Sequence, residues 1–432
     1  MADLQTLLQK AGSGELEAQY ALGNAYHLGL AGTQAHLPTA MRWYHRAASA
    51  GHVDAQVNLG VIFVDDIVRA GGTRNVEQAR HWFKRAADRG DPQAMFFLGQ
   101  LLLNENQPAQ HARVWFEQAG KAGFGPAWNA LGNLYAHGAL GAADTAAAAD
   151  CYEQGALLGD PYSQFNLGCV YVAGIGRERD LALAAHWYRA AAGRGLPDAK
   201  HNLALMLFAG QGAQLDAAAA ARLLQEAADA GLVPAQHELA RRLRVADGVP
   251  LDLSRSLHYY HLAAQGGLRE AQFSLGVMLE QGIGLNAPDP AQAAIWYRKL
   301  AQEHAHAGAA HNLGVLYVQG VGVPKSGAAA KTLFEYAVSL GSHDALYSLG
   351  LQLLRGEGVE RNALAAATLA LVAVARQPSG NGPRLLEAAT RELSAAQAEQ
   401  ARSKALYWEP PRVEIDWDQL PAIASAQNAV TA

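Results

Sequence analysis

Two cysteines, Cys151 and Cys169, are all that 432 residues contain, so no disulfide framework organises this chain. Charge is also sparse. Asp, Glu, Lys and Arg make up 17% of the residues and the formal net charge is −5, which excludes the broad basic face that nucleic acid requires. Its densest basic cluster, Arg241, Arg242 and Arg244, covers little more than one helical turn and reads as solvated surface charge. No run of 18 or more apolar residues is present to span a membrane. The first residues, MADLQTLLQKAGSGELEAQ, lack the basic start and apolar stretch of a secretory signal, so a cytoplasmic location is the expectation.

What the chain has in quantity is alanine and glycine. Half of it is hydrophobic and 44 residues are Gly, with alanine runs such as Ala146–Ala149 and Ala217–Ala221. Alanine is the best helix former and the smallest side chain with a Cβ, which suits closely packed helices. High hydrophobicity with low net charge also excludes a disordered chain.

The glycines and alanines recur in register. The block Ala-x-x-x-Leu-Gly reads AQYALG at 18–23, AQVNLG at 55–60, AMFFLG at 94–99, AWNALG at 127–132 and SQFNLG at 163–168. It continues as AKHNLA, AQHELA, AQFSLG, AAHNLG and ALYSLG, the last ending at Gly350. The spacing averages about 36 residues, and four consecutive intervals equal 36. A second block follows each first one: an aromatic pair, a small pair, then Gly, as in Trp43-Tyr44, Ala47-Ala48 and Gly51. The i, i+3, i+4 spacing puts the pair and the alanines on one helical stripe, and Leu-Gly permits close approach of the neighbouring helix.

Loop chemistry marks the boundaries independently. Gly-x-Gly at 174–176, 282–284 and 320–322 ends the first helix, helix A, through a left-handed residue. Asp180, Asp216, Asp252, Asp289, Ser326 and Asn362 then supply caps for the second helix, helix B. The chain is therefore expected to be all-α: a right-handed superhelical α-solenoid of about ten two-helix repeats over residues 1–376. Residues 383–406 read as one long amphipathic helix capping the last repeat, which solenoids need. After Pro410-Pro411 comes an acidic, aromatic tail, 407–432, read either as flexible or as lying in a groove like a ligand.

The pattern AxxNLGxxYxxGxGVxxD…AxxWYxxAAxxGxxxA resembles the Sel-one-like repeats, relatives of the tetratricopeptide repeats, over roughly residues 15–376. The third unit is short and lacks Gly-x-Gly, and Ala204 and Ala240 replace the glycine in the sixth and seventh. The resemblance implies a protein-interaction scaffold or adaptor that holds a peptide segment or protein partner on the concave face lined by helices A. Some cysteine-rich relatives are linked to β-lactam binding. They carry regular cysteine pairs and this chain does not, so a hydrolase-like enzyme is the weaker alternative. Self-association, with the tail in a groove, is another.

Strings that imitate catalytic motifs lose their meaning inside the repeat. Gly-x-Gly lies between helices, whereas a dinucleotide site needs a preceding strand. His52-Val53-Asp54 falls in the inter-repeat turn, and His304, His306 and His311 lack a completing ligand set. Both cysteines fit buried packing positions. No catalytic residue, metal or cofactor is expected.

Candidate partner-binding positions follow from taking the Leu of Leu-Gly as facing the core. Residues on the opposite side of helix A are Tyr20 and Asn24 in the first repeat, Asn129 and Asn133 in the fourth, and His237, Arg241 and Arg244 in the seventh. The same columns hold Val57, Val61 and Val64, or Phe165, Cys169 and Val172, and read either as tight packing or as an apolar groove. The position before Leu adds Asn58, Asn166, Asn202 and Asn312. In peptide-binding tetratricopeptide proteins an Asn there contacts the ligand backbone, and the resemblance implies the same here; the alternative is a bond to a neighbouring helix. His201, His237 and His311 form a column suited to a ladder of contacts rather than to metal chelation, with a pH-sensitive contact as a hypothesis.

Overall fold

The structure, a computed structural model, describes residues 4–66 and 75–423. Among them every regular element is helical. A leading helix α1 (Leu4–Gly12) precedes ten pairs. The first five pairs are α2 (Leu16–Leu28) with α3 (Leu37–Ser49), α4 (Val53–Val61) with α5 (Val76–Ala87), α6 (Pro92–Asn104) with α7 (Ala109–Lys121), α8 (Gly125–Ala136) with α9 (Thr145–Leu157), and α10 (Pro161–Ala173) with α11 (Leu181–Gly193). Then come α12 (Pro197–Ala209) with α13 (Ala217–Asp229), α14 (Val233–Val245) with α15 (Leu253–Gln265), α16 (Arg269–Gln281) with α17 (Pro290–His304), α18 (Ala307–Gln319) with α19 (Gly327–Ser339), and α20 (His343–Arg355) with α21 (Ala363–Arg376). The contacts group into two units, one ending at Ala220 and the other beginning at Ala221.

The boundaries are made by the residues that the sequence singles out. Asp180, Asp216, Asp252, Asp289, Ser326 and Asn362 each accept the backbone N–H three residues on, at 2.9–3.2 Å, and so cap helix B. Helix A of the fifth repeat ends at Gly174, in the left-handed region at φ 69°. Gly176 is left-handed too, at φ 80°, and it also answers a steric demand, since a Cβ there would run into the Thr145 carbonyl at the start of the preceding helix B. Where the third repeat lacks Gly-x-Gly, Asn106 takes the left-handed conformation at φ 54°.

Seven of the ten repeats are held by a ring lying across a glycine, at Gly23, Gly60, Gly99, Gly132, Gly168, Gly276 and Gly314. A Cβ added to Gly99, Gly132, Gly168, Gly276 or Gly314 would sit 2.5–2.7 Å from a ring carbon of Phe116, Tyr152, Tyr188, Tyr297 or Phe334. Those rings are buried, and burying one contributes about 1.5–3 kcal/mol. Consecutive repeats are tied by a glutamine that follows the first small residue of the block. Gln19, Gln56, Gln164, Gln236 and Gln272 donate Nε2 to the carbonyls of Ala11, Ala48, Ala156, Ala228 and Ala264, at 2.9–3.2 Å. Every one of these side chains is buried, so the bond offsets the desolvation of the amide N–H, while Oε1 of Gln19, Gln56, Gln164 and Gln272 is buried without a hydrogen-bond partner.

The C-terminal region differs from the single capping helix expected over 383–406. It forms two helices, α22 (Gly382–Thr390) and α23 (Ala395–Leu406). Ser394 starts the second with a reciprocal capping box: its Oγ accepts from the Gln397 N–H, and Gln397 Oε1 accepts from the Ser394 N–H. On α22, Leu385 is buried, and its Cδ2 would lie 2.6 Å from a Cβ on Gly350. The cap thus fills in the tenth repeat the space that a ring fills elsewhere. Beyond it, residues 408–423 are not free. Leu420 is buried, and Trp408, Ile415, Trp417 and Ile423 pack against the core of the C-terminal unit. The expectation of a flexible tail fails over this stretch because the apolar residues find a seat; residues 424–432 lie outside the described ones.

Candidate protein-interaction face

All twelve candidate residues are half-buried on the A helices, neither in the core nor fully open. Their polar ends are largely organised by tyrosines. In the first repeat the Tyr44 hydroxyl crosses Gly23 and donates to Asn24 Oδ1 at 2.7 Å, and Asn58 of the next repeat donates to the same oxygen at 3.4 Å. In the fourth, Tyr152 donates to Asn133 Oδ1 at 2.8 Å, while Asn166 of the fifth donates to Asn129 Oδ1 at 2.8 Å. In the fifth, Tyr188 donates to Cys169 Sγ at 3.3 Å and also engages Asn202. Asn312 meets the Tyr297 hydroxyl, which donates to Glu280 at 2.8 Å.

The asparagines before Leu make these contacts to neighbouring helices. Asn24 and Asn133 are different. With each oxygen held by a tyrosine, the side chain keeps its two amide N–H groups as remaining capacity. Tyr20 stacks on His52 at 4.4 Å between ring centroids. His52 in turn accepts the Ala55 N–H as the cap of α4, the turn role its sequence position suggests. His306 does the same for α18, accepting from Ala309 at 3.1 Å.

In the C-terminal unit the arginines are engaged within their own repeat. Arg241 forks onto Glu238 at 2.8 and 3.0 Å and reaches Asp247 at 3.1 Å. Arg242 bonds the same Glu238 at 2.6 Å. Burial works to raise the Glu238 pKa, but the hydrogen bonds from Arg241 and Arg242 outweigh it and hold the carboxyl below its usual range. Arg244 lies over the Tyr260 ring at 5.9 Å, and His237 meets that ring edge-on at 5.7 Å. His311 bonds the Ser348 hydroxyl at 2.8 Å. Burial depresses the pKa of both histidines.

The apolar columns divide: Val61 and Val64 are half-buried and Val172 is exposed, whereas two other members pack. Val57 is buried, and Phe165 packs against Tyr188 at 5.7 Å between ring centroids. Burial pushes the Cys151 thiol up to about 12 and also raises that of Cys169, so both are poor nucleophiles. Among the described residues no three His, Cys, Asp or Glu side chains group to hold a metal ion, and no helix is long and apolar enough to cross a membrane.

Sequence reasoning missed the hydroxyl-to-asparagine bonds and the glutamine ties. For the glutamines the signal was present, since Gln follows the first small residue in five of the ten blocks. The tyrosine bonds depend on where a hydroxyl lands across the glycine, which spacing does not reveal.

Paired helices locked by rings over glycines and repeated in register define a helical repeat protein of the α-solenoid class. The chain belongs to the Sel1 repeat family, whose model matches residues 16–52, 53–91, 92–124, 127–160, 161–196, 197–232, 233–268, 269–303, 307–342 and 343–373. Among solved structures it is similar to c5321, a protective antigen of uropathogenic Escherichia coli with the same repeat fold, at 27% identity over 94% of each chain and a TM-score of 0.54. A Sel1 repeat protein from Oxalobacter formigenes also matches at 27% identity, over 72% of this chain and 90% of that one, with a TM-score of 0.53. No curated protein matches the chain. Membership of this family supports a protein-interaction scaffold in general terms.

Proposed function

We propose that the protein is a non-enzymatic scaffold or adaptor that binds a peptide segment or protein partner along the half-buried face of its A helices. The observation that carries this reading is the fixed orientation of Asn24 and Asn133. Each oxygen is committed to a buried tyrosine, which leaves an oriented amide donor suited to a main-chain carbonyl of an extended segment. Tyr20, Asn58, Asn129, Asn166, His201 and Asn202 complete this face in the N-terminal unit; His237, Arg241, Arg244 and Asn312 are its counterparts in the other. A protein partner is favoured over nucleic acid by the net charge of −5 and by the internal pairing of Arg241 and Arg242.

The test is the full chain carrying Asn24→Asp and Asn133→Asp. Asp keeps an oxygen for Tyr44 and Tyr152 but removes the outward donor. Quantitative pull-down with mass spectrometry, compared with wild type, should lose its specific partner while circular dichroism shows an intact fold. Unchanged partner recovery would sink the assignment of this face.

A further inference from the structure

The tail carries a pattern of its own. From Pro411 to Trp417 burial alternates with every residue: Pro411, Val413, Ile415 and Trp417 are half-buried, while Arg412, Glu414 and Asp416 are exposed. A period of two is that of an extended chain laid on a surface. The chain then turns on Asp416, whose side chain accepts from the Asp418 N–H at 3.1 Å and from Gln419 Nε2 at 2.8 Å, and Leu420 enters the core of the C-terminal unit.

Its seat is built by three helices. Arg298 on α17 donates to the Trp417 carbonyl, and the Tyr317 hydroxyl on α18 donates to the Pro421 carbonyl at 2.6 Å. Tyr336 on α19 meets the Trp417 indole edge-on, with centroids 5.9 Å apart and planes at 86°. Upstream, residues 409–414 border an open space of about 700 Å³ that Ser339 also lines. The hold is thus two main-chain carbonyls, one indole and one buried leucine, with Ile415 and Ile423 packed beside them. Main-chain carbonyls are common to any peptide, so selectivity resides in the Trp and the Leu three residues on.

We propose that the strip formed by Arg298, Tyr317 and Tyr336 is a docking surface for an extended segment of another protein with alternating apolar residues followed by Trp-x-x-Leu, and that residues 411–421 occupy it in cis as a displaceable mimic. This goes beyond the asparagine reading, whose test uses residues of the N-terminal unit. The tether gives the tail an effective concentration in the millimolar range, so a segment in trans with the same contacts competes poorly until the tail is weakened.

The probe is a fluorescein-labelled peptide of residues 407–423, titrated by anisotropy into the full chain. Trp417→Ala/Leu420→Ala in the chain should tighten peptide binding roughly ten-fold or more relative to wild type. Adding Arg298→Ala and Tyr317→Phe should abolish that gain. A second measurement uses the wild-type chain alone: excess unlabelled peptide of residues 413–423, which holds no Lys or Arg, should accelerate tryptic cleavage after the exposed Arg412, and a scrambled peptide should not. Equal affinity for wild type and the weakened chain, together with cleavage insensitive to peptide, would overturn the proposal. A wild-type chain that light scattering finds dimeric, and that the peptide converts to monomer, would overturn it in favour of exchange between copies.

Discussion

The two units spend their tyrosine hydroxyls differently. In the N-terminal unit Tyr44, Tyr152 and Tyr188 turn back onto Asn24, Asn133 and Cys169 of their own repeat. In the C-terminal unit Tyr297 likewise turns back within its own repeat, onto Glu280, while Tyr317, on a helix A, gives its proton to a carbonyl of the tail. The ring-over-glycine packing is common to both. One scaffold therefore keeps the helix B ring and its hydroxyl within each of these repeats, and it is a hydroxyl on a helix A that holds the strap.

The largest effect that would break this comparison lies at the end of the C-terminal unit. Leu385→Ala removes the side chain filling the space at Gly350 and should cost about 3 kcal/mol in urea unfolding, with the loss confined to the C-terminal unit in hydrogen exchange. Next come Gly132→Ala and Gly314→Ala, one in each unit. Each forces a methyl into a buried ring and should cost about 2 kcal/mol; markedly unequal losses would show that the packing is not shared. Tyr152→Phe and Tyr297→Phe delete only a hydroxyl and should cost about 1 kcal/mol each by the same measurement.

Acid should act more gently, through the C-terminal unit. His237, His261, His306 and His311 all have pKa values depressed mainly by burial. Below the ordinary value of 6.5 the unfolded chain takes up protons that these buried rings refuse. Their stability contribution is therefore full above 6.5 and lost as the pH falls toward the depressed values. Thermal melts between about pH 7 and about pH 5.5 should show the decline, and His311→Gln should flatten it. The smallest effect is a gain. Ala246 ends α14 in the left-handed region at φ 56°, where other helices A use glycine, so Ala246→Gly should stabilise by about 0.5 kcal/mol.

The repeat and its caps were legible because they depend on local chemistry. Asp180 caps whatever helix follows it, and Gly174 takes a left-handed turn wherever it falls. The break between α22 and α23 was also legible in principle, as Ser394 followed three residues later by Gln397, but a continuous amphipathic pattern over 383–406 obscured it. The alternation of Pro411, Val413, Ile415 and Trp417 announced an extended segment, yet its seat lies about a hundred residues earlier in the chain and no local rule connects Trp417 to Arg298. The candidate face was legible as a set of columns. Its electrostatics were not, since Arg241 looks free in sequence until Glu238 and Asp247 close around it.

The glutamine tie has a consequence for how long such a molecule can be. Because Gln164 reaches back eight residues to Ala156, the joint between repeats is written entirely within the junction. Excising residues 233–268 would join Leu232 directly to Arg269 and set Gln272 where Gln236 stood, eight residues on from Ala228. Length is then a quantity that changes by whole cassettes, and genes encoding this architecture can gain or lose reach by unequal recombination without redesigning a single interface.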